Sequence, residues 1–230
     1  MSRLFFGGLS SRALRMKKPH VPVALEGVPF ILFAAFATLV AALAFGKGLA
    51  LAGLALTAFV LYFFRDPSRV VPQEDNLLVS PADGRVILIE QVEDGRYLKA
   101  QVQKLSIFMN LFDVHVNRAP CSGRVERIEY QPGRFYSADS PRAALENETC
   151  ALVLDAGAGR RLACVQMAGL IARRIVCWAE PGDTLAPGVR FGLIRLGSRV
   201  DLYLPLDLRL EVKRGQRVKA GETVLGRFVA

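Results

Sequence analysis

The chain has 230 residues, and 52% of them are hydrophobic. Mean hydropathy is +0.29, high for a soluble protein, and net charge is +9 with a pI near 9.8. The charge would suit nucleic acid, but no Lys/Arg run interleaved with aromatics occurs beyond the N-terminus, and no nucleic-acid signature is present, so that class is set aside.

Basic residues open the chain: Arg3, Arg12, Arg15, Lys17 and Lys18. Val28 to Phe45 is then 18 residues without a charge, Gly46–Lys47–Gly48 interrupts, and Leu49 to Phe64 adds 16 more. A spanning helix needs ~20 apolar residues, range ~17–25, so the first run qualifies and the second is marginal. The pair predicts a helical hairpin over 28–64, spanning the bilayer or dipping into one leaflet. A cleaved signal peptide would have a shorter core and no second run, which favours a retained anchor. Only Lys47 lies at the tip, whereas basic residues flank both ends, with Arg65 and Arg69 following. The positive-inside rule therefore puts both ends, and the rest of the chain, on the cytoplasmic side of the cell membrane. Residues 1–27 form a basic cytoplasmic segment that favours anionic lipid.

Residues 65–76 read as a polar, Pro-containing exit. Beyond them short β-like runs are punctuated by Gly and Pro, which predicts a β-rich domain over 65–230, with one helix around Pro141 to Thr149. Two late stretches repeat with an offset of 33 residues: Gly182, Leu185, Gly188 and Phe191 match Gly215, Val218, Gly221 and Val224. The pattern resembles the hairpin arms of barrel-sandwich folds. The fold class expected is thus mainly β (α+β), a barrel-sandwich-like domain behind a two-helix hairpin. Leu206, Leu208, Leu210 and Val212 alternate with Asp207, Arg209, Glu211 and Lys213 as in a half-exposed strand. Cys121, Cys150, Cys164 and Cys177 form no C-x-x-C pair, and His20 and His115 are far apart, so free cytoplasmic thiols and no metal site are expected.

"FGLIRLGSRVDLYLP", Phe191 to Pro205, reads as one strand with an anomaly. Ile194, Leu196, Val200, Leu202 and Leu204 share a face; Arg195, Arg199, Asp201 and Tyr203 take the other, which is expected to be exposed. Ser198 falls on the apolar face directly after Gly197. Locally this is a bulge or tight bend. It also permits chemistry. A serine hydroxyl can attack the carbonyl before it, and glycine there removes steric cover and allows the bend. Such attack needs a base and oxyanion donors.

"GLIRLGSRVDLYLP", "SPADGRV" (Ser80 to Val86) and "FMNLFDVHVNRAPCSGRV" (Phe108 to Val125) together resemble the short bacterial and archaeal phosphatidylserine decarboxylases, in family order from about Arg65 to the C-terminus. The resemblance implies a proenzyme that cleaves itself between Gly197 and Ser198 into chains 1–197 and 198–230. The two chains would stay together as a heterodimer, open to higher oligomerisation. Ser198 would become a pyruvoyl group, the covalent cofactor, which forms a Schiff base with the serine amine of phosphatidylserine; no PLP and no metal are implied. Carbon dioxide leaves, and phosphatidylethanolamine is released.

The resemblance makes His115 the base for Ser198 or the proton donor in turnover, and Asp83 a supporting acid in self-cleavage. Asp83–Gly84 is also an ordinary turn pair. Longer family members carry two His where this chain has His115 alone; aligned on Pro120–Cys121, Arg118 stands in the second position. Arg118, Arg195 and Arg199 are read as exposed strand residues. Trp178 belongs either to the lipid interface or to the core. A rival reading is a non-catalytic lipoyl-like membrane adaptor, although neither repeat offers a convincing lysine tip. A serine hydrolase would want G-x-S-x-G, which is absent.

Overall fold

The computed structural model describes residues 22–74, 76–170, 174–195 and 197–229. Most of the basic N-terminal segment, including His20, lies outside the described residues, as does Leu196.

The apolar runs form helix α1 (Val28–Phe45) and helix α2 (Lys47–Phe63). Pro29 sits in the first turn of α1, where its missing N–H costs nothing. Gly46, at φ 83°, reverses the chain between the helices. Where they cross, Thr38 and Thr57 hydroxyls meet at 3.0 Å, and a side chain at Gly53 would collide with Thr38. The outward faces stay bare: Phe33, Phe36, Leu43 and Leu51 are all well exposed. Counted from Leu25, the first helical run has 21 residues, enough to cross a membrane; the second has 17. So large an uncovered apolar surface is compatible with membrane anchoring.

Among the described residues, fourteen strands follow. They are β1 (Leu77–Val79), β2 (Gly84–Asp94), β3 (Ala100–Met109), β4 (Val116–Arg118), β5 (Gly123–Gln131), β6 (Thr149–Gly157) and β7 (Arg160–Met167). After them come β8 (Ile175–Cys177), β9 (Thr184–Leu185), β10 (Arg190–Ile194), β11 (Ser198–Leu204), β12 (Leu208–Leu210), β13 (Arg217–Val218) and β14 (Val224–Phe228). The helix expected near 141–149 is a single turn, α3 (Ala143–Glu146). The protein is mainly β, as expected.

One large sheet runs β13-β2-β3-β11-β7-β6-β5-β9, and two small sheets run β1-β14-β12 and β4-β10-β8. All pairings between these strands are antiparallel. Register shifts at Val86/Leu88 and Val125/Arg127 mark bulges that curl the large sheet. Its concave face packs the main core, with Leu105, Ile107, Leu152, Leu202 and Phe191 among the residues buried there.

The late repeat is real in three dimensions, and it is one arm of a larger duplication. Gly182 and Gly215 both have positive φ (94° and 89°), as do Gly188 and Gly221 (both 74°). Each unit docks on its own copy of a P-x-x-G-R-V segment: Pro81 to Val86 for one, Pro120 to Val125 for the other. Gly215 N–H donates to the Val86 carbonyl at 2.7 Å, and Gly182 N–H to the Val125 carbonyl at 2.8 Å. The two segments then clasp each other reciprocally. Val79 N–H donates to the Pro120 carbonyl, and Arg118 N–H to the Pro81 carbonyl. A pseudo-twofold relation thus sets the loop before Gly84 against the strand that follows His115.

Two sequence expectations are corrected. Residues 191–205 are two strands in different sheets, not one: β10 ends at Ile194, and β11 begins at Ser198 in the middle of the large sheet. Arg199 and Asp201 are not exposed either; they are 4% and 0% exposed. The outer face of β11 is covered by the segment around Ala138 and by Tyr97, so the pair must satisfy itself there. Arg199 Nη2 donates to Asp201 Oδ2 at 2.7 Å, and Arg199 Nη1 to the Ala138 carbonyl at 3.3 Å.

Candidate active site

Gly197 carries the chain from one sheet to the other at φ 59°, a conformation that strongly favours glycine. Its carbonyl oxygen presses against Gly169, where an added Cβ would lie 1.8 Å from it. Two glycines are therefore needed, one to make the turn and one to make room for it.

Ser198 follows as the first residue of β11, register partner of Met109 on β3. It is fully buried, and its hydroxyl has no hydrogen-bond partner among the described residues. An unsatisfied buried hydroxyl costs about 1–3 kcal/mol. A site that keeps one holds it ready for a partner that forms later.

His115 is 1% exposed, and neither ring nitrogen makes a regular hydrogen bond among the described residues. Burial pushes its pKa down to about 4; the Asp113 backbone opposes that, and the Arg65 charge adds to the lowering. The imidazole is therefore neutral at physiological pH. Its carbonyl accepts from Ile194 N–H at 3.2 Å, which ties it to the last residue of β10, four positions before Ser198.

Asp83 sits elsewhere. Arg69 Nη2 donates to its Oδ2 at 2.7 Å, and Ala220 N–H to its Oδ1 at 2.8 Å. The strand it precedes, β2, lies two strands from β11, or roughly 10 Å. Ser198 opens the strand after the β10–β11 crossing and His115 is hydrogen-bonded to the last residue of β10 before it, while Asp83 is engaged in an ion pair with Arg69. No hydrogen bond joins Ser198 and His115.

Arg118 is buried rather than exposed. Its Nη2 donates to Asp66 Oδ1 at 2.9 Å, and its Nη1 to the Gly188 carbonyl at 3.0 Å. Burial, with Arg190 nearby, lowers its pKa to about 10, so it stays charged. Arg195 is half-buried, with its guanidinium 5.1 Å from the Phe30 ring. Trp178 is neither core nor free: its Nε1 donates to Glu26 at the base of the hairpin, 2.8 Å away. Two features passed unnoticed in the sequence. Gly169 gave no signal beyond an ordinary strand end. Asn117 stood inside a quoted motif, yet only the structure shows its amide accepting from Gln166 Nε2 at 2.9 Å, deep in the core.

The glycine-only turn and the buried hydroxyl stand in a chain whose relatives define its class, an enzyme and a decarboxylase. The family model described as phosphatidylserine decarboxylase matches residues 56–226. A phosphatidylserine decarboxylase proenzyme from Desulfotalea psychrophila is 56% identical over 214 residues, covering 93% of this chain and all of the relative. Proenzymes of the same name from Geotalea uraniireducens and Ralstonia nicotianae are 48% and 50% identical, covering 92% and 90% of this chain and 99% and 96% of their own. The chain belongs to the phosphatidylserine decarboxylase family, and the adaptor reading falls.

Proposed function

We propose that the protein is a self-processing, membrane-anchored enzyme that converts phosphatidylserine to phosphatidylethanolamine and carbon dioxide in phospholipid synthesis. The observation that carries the proposal is the Gly197–Ser198 junction, with its left-handed glycine and its buried, unpartnered hydroxyl, in a chain of this family.

The steps of processing follow from the residues. Ser198 Oγ attacks the Gly197 carbonyl carbon while His115, neutral, takes the hydroxyl proton. The amide C–N bond breaks as the C–O bond forms, leaving an ester and a free Ser198 amine. Loss of the Ser198 α-proton expels the Gly197 carboxylate. The dehydroalanine left behind tautomerises to an imine, one water replaces its nitrogen, and ammonia departs. Residue 198 then heads the chain 198–230 as a ketone, the pyruvoyl group.

Ser198 fits that role because its burial keeps water from the ester before elimination. The ketone supplies an electron sink for the pair left when the substrate carboxylate departs. His115, neutral and buried, is the group that returns a proton. Asp83 supports self-cleavage indirectly, through the Arg69 pair that holds its loop. The 28–64 hairpin keeps the site at the bilayer, where a diacyl substrate stays. The flanking charges favour the cytoplasmic side for the domain 65–230.

Intact-mass measurement on freshly purified protein tests the reading. Two chains are expected, 1–197 and 198–230, the smaller resistant to Edman degradation and bearing a carbonyl. Ser198→Ala should remain uncut and inactive. A single full-length species that decarboxylates phosphatidylserine would overturn the proposal.

A further inference from the structure

The base of the hairpin reaches both halves of the candidate site. Helix α2 ends at Phe63, whose ring centroid lies 4.6 Å from that of His115, with the planes 38° apart. The loop that carries His115 is tied to the same helix end twice more. Arg65 Nη2 donates to the Phe112 carbonyl at 2.7 Å, and Phe59 meets Phe112 edge-on at 6.5 Å. On the other side Arg195, two residues before Gly197, lies over Phe30 of α1. Phe63, Phe64, Ala24, Val114, Val116 and Leu193 form an apolar cluster of their own at this contact.

His115 gives the contact its meaning. A histidine that moves protons is usually oriented by an acceptor on its second nitrogen. Among the described residues neither nitrogen makes a regular hydrogen bond, although the Asp113 backbone lies near enough to act on the ring. Phe63 is its aromatic neighbour. The charged groups around it are Arg65 at the helix end and Asp113 on its own loop, the latter paired with Arg217 of β13 at 3.6 Å.

We infer that Phe63 is a positioning residue for His115, so that the anchor is a working wall of the active site as well as a tether. The inference rests on His115 being the proton-transfer group. The ring excludes water from the imidazole, and its removal lets water in and returns the imidazole toward its ordinary pKa, ~6.5.

The test uses the full-length, self-processed protein in detergent micelles containing phosphatidylserine, assayed for carbon dioxide release across pH. Phe63→Ala is expected to lower turnover ~10-fold or more and to move the acidic limb of the profile upward; Phe63→Tyr should restore both. Phe36→Ala, on the bare outer face of α1, should match the unsubstituted protein. All variants should stay in the membrane pellet. If Phe63→Ala does not accumulate, Phe63→Leu should show the same upward shift in smaller measure. An unchanged limb in Phe63→Ala or Phe63→Leu, or a uniform loss that Phe63→Tyr fails to restore, would overturn the inference. His115→Asn, with its cleavage read by intact mass alongside its activity, separates the two ideas. Activity with an unaltered pH profile in that variant refutes the role of His115 itself; its inactivity beside an unaltered Phe63→Ala refutes only the positioning.

Discussion

At His115 a titratable group is held in an apolar setting with nothing to share its proton, and this has a thermodynamic sign. The folded protein holds its pKa near 4, against an ordinary 6.5. The unfolded chain therefore takes up the proton first as pH falls. The contribution to stability is present above ~6.5 and is lost progressively as pH drops toward 4, reaching about 3 kcal/mol. Melting of the uncut Ser198→Ala precursor in detergent should show it, with a midpoint that declines below pH 6.5. His115→Asn should flatten that part of the decline; identical slopes would refute the assignment. At this scale the sequence was informative wherever a residue broke a pattern. Ser198 stood out because a hydroxyl fell on an apolar face. Arg199 and Asp201 did not, because alternation says which face a side chain takes but not what later covers that face.

Among the elements, the connection out of the hairpin is more than a polar exit. Asp66 is 5% exposed and receives both Arg118 and Arg190. Its backbone N–H also donates to the Pro22 carbonyl at 2.8 Å, which pins the two ends of the hairpin together. Removing one partner from a buried ion pair costs about 3–5 kcal/mol, because the other charge is left stranded. Asp66→Asn should therefore lower the melting midpoint of the precursor markedly and loosen the hairpin base, read as faster proteolysis near Arg65. A midpoint equal to the parent would show the cluster to be dispensable. The length and apolarity of 28–64 made the hairpin legible. Its docking was not, since nothing in Phe63 or Asp66 taken alone marks a contact made across tens of residues. The glycine spacing of the late repeat was legible as well. Its partner segments, Pro81 to Val86 and Pro120 to Val125, share too few letters to be matched until their hydrogen bonds are seen to correspond.

In the whole molecule, the residues after Ser198 are woven into three places. Strand β11 lies between β3 and β7, β13 edges the large sheet against β2, and β14 sits between β1 and β12. A 33-residue piece held this way cannot leave without dismantling both the large sheet and a small one. The two products of cleavage should co-elute by size exclusion in detergent and separate only under denaturing conditions. Native dissociation would contradict this architecture. Alternating runs across 198–230 foretold that the piece would be strand-rich, but which sheet each strand joins depends on pairings over a hundred residues away.

The crossing at Gly197 belongs to neither sheet it connects. A nick there interrupts the covalent thread without splitting a strand, so both banks of the gap keep their footing. On the proposed reading, precursor and product share one framework, and what processing adds to it is a ketone at the edge of a gap.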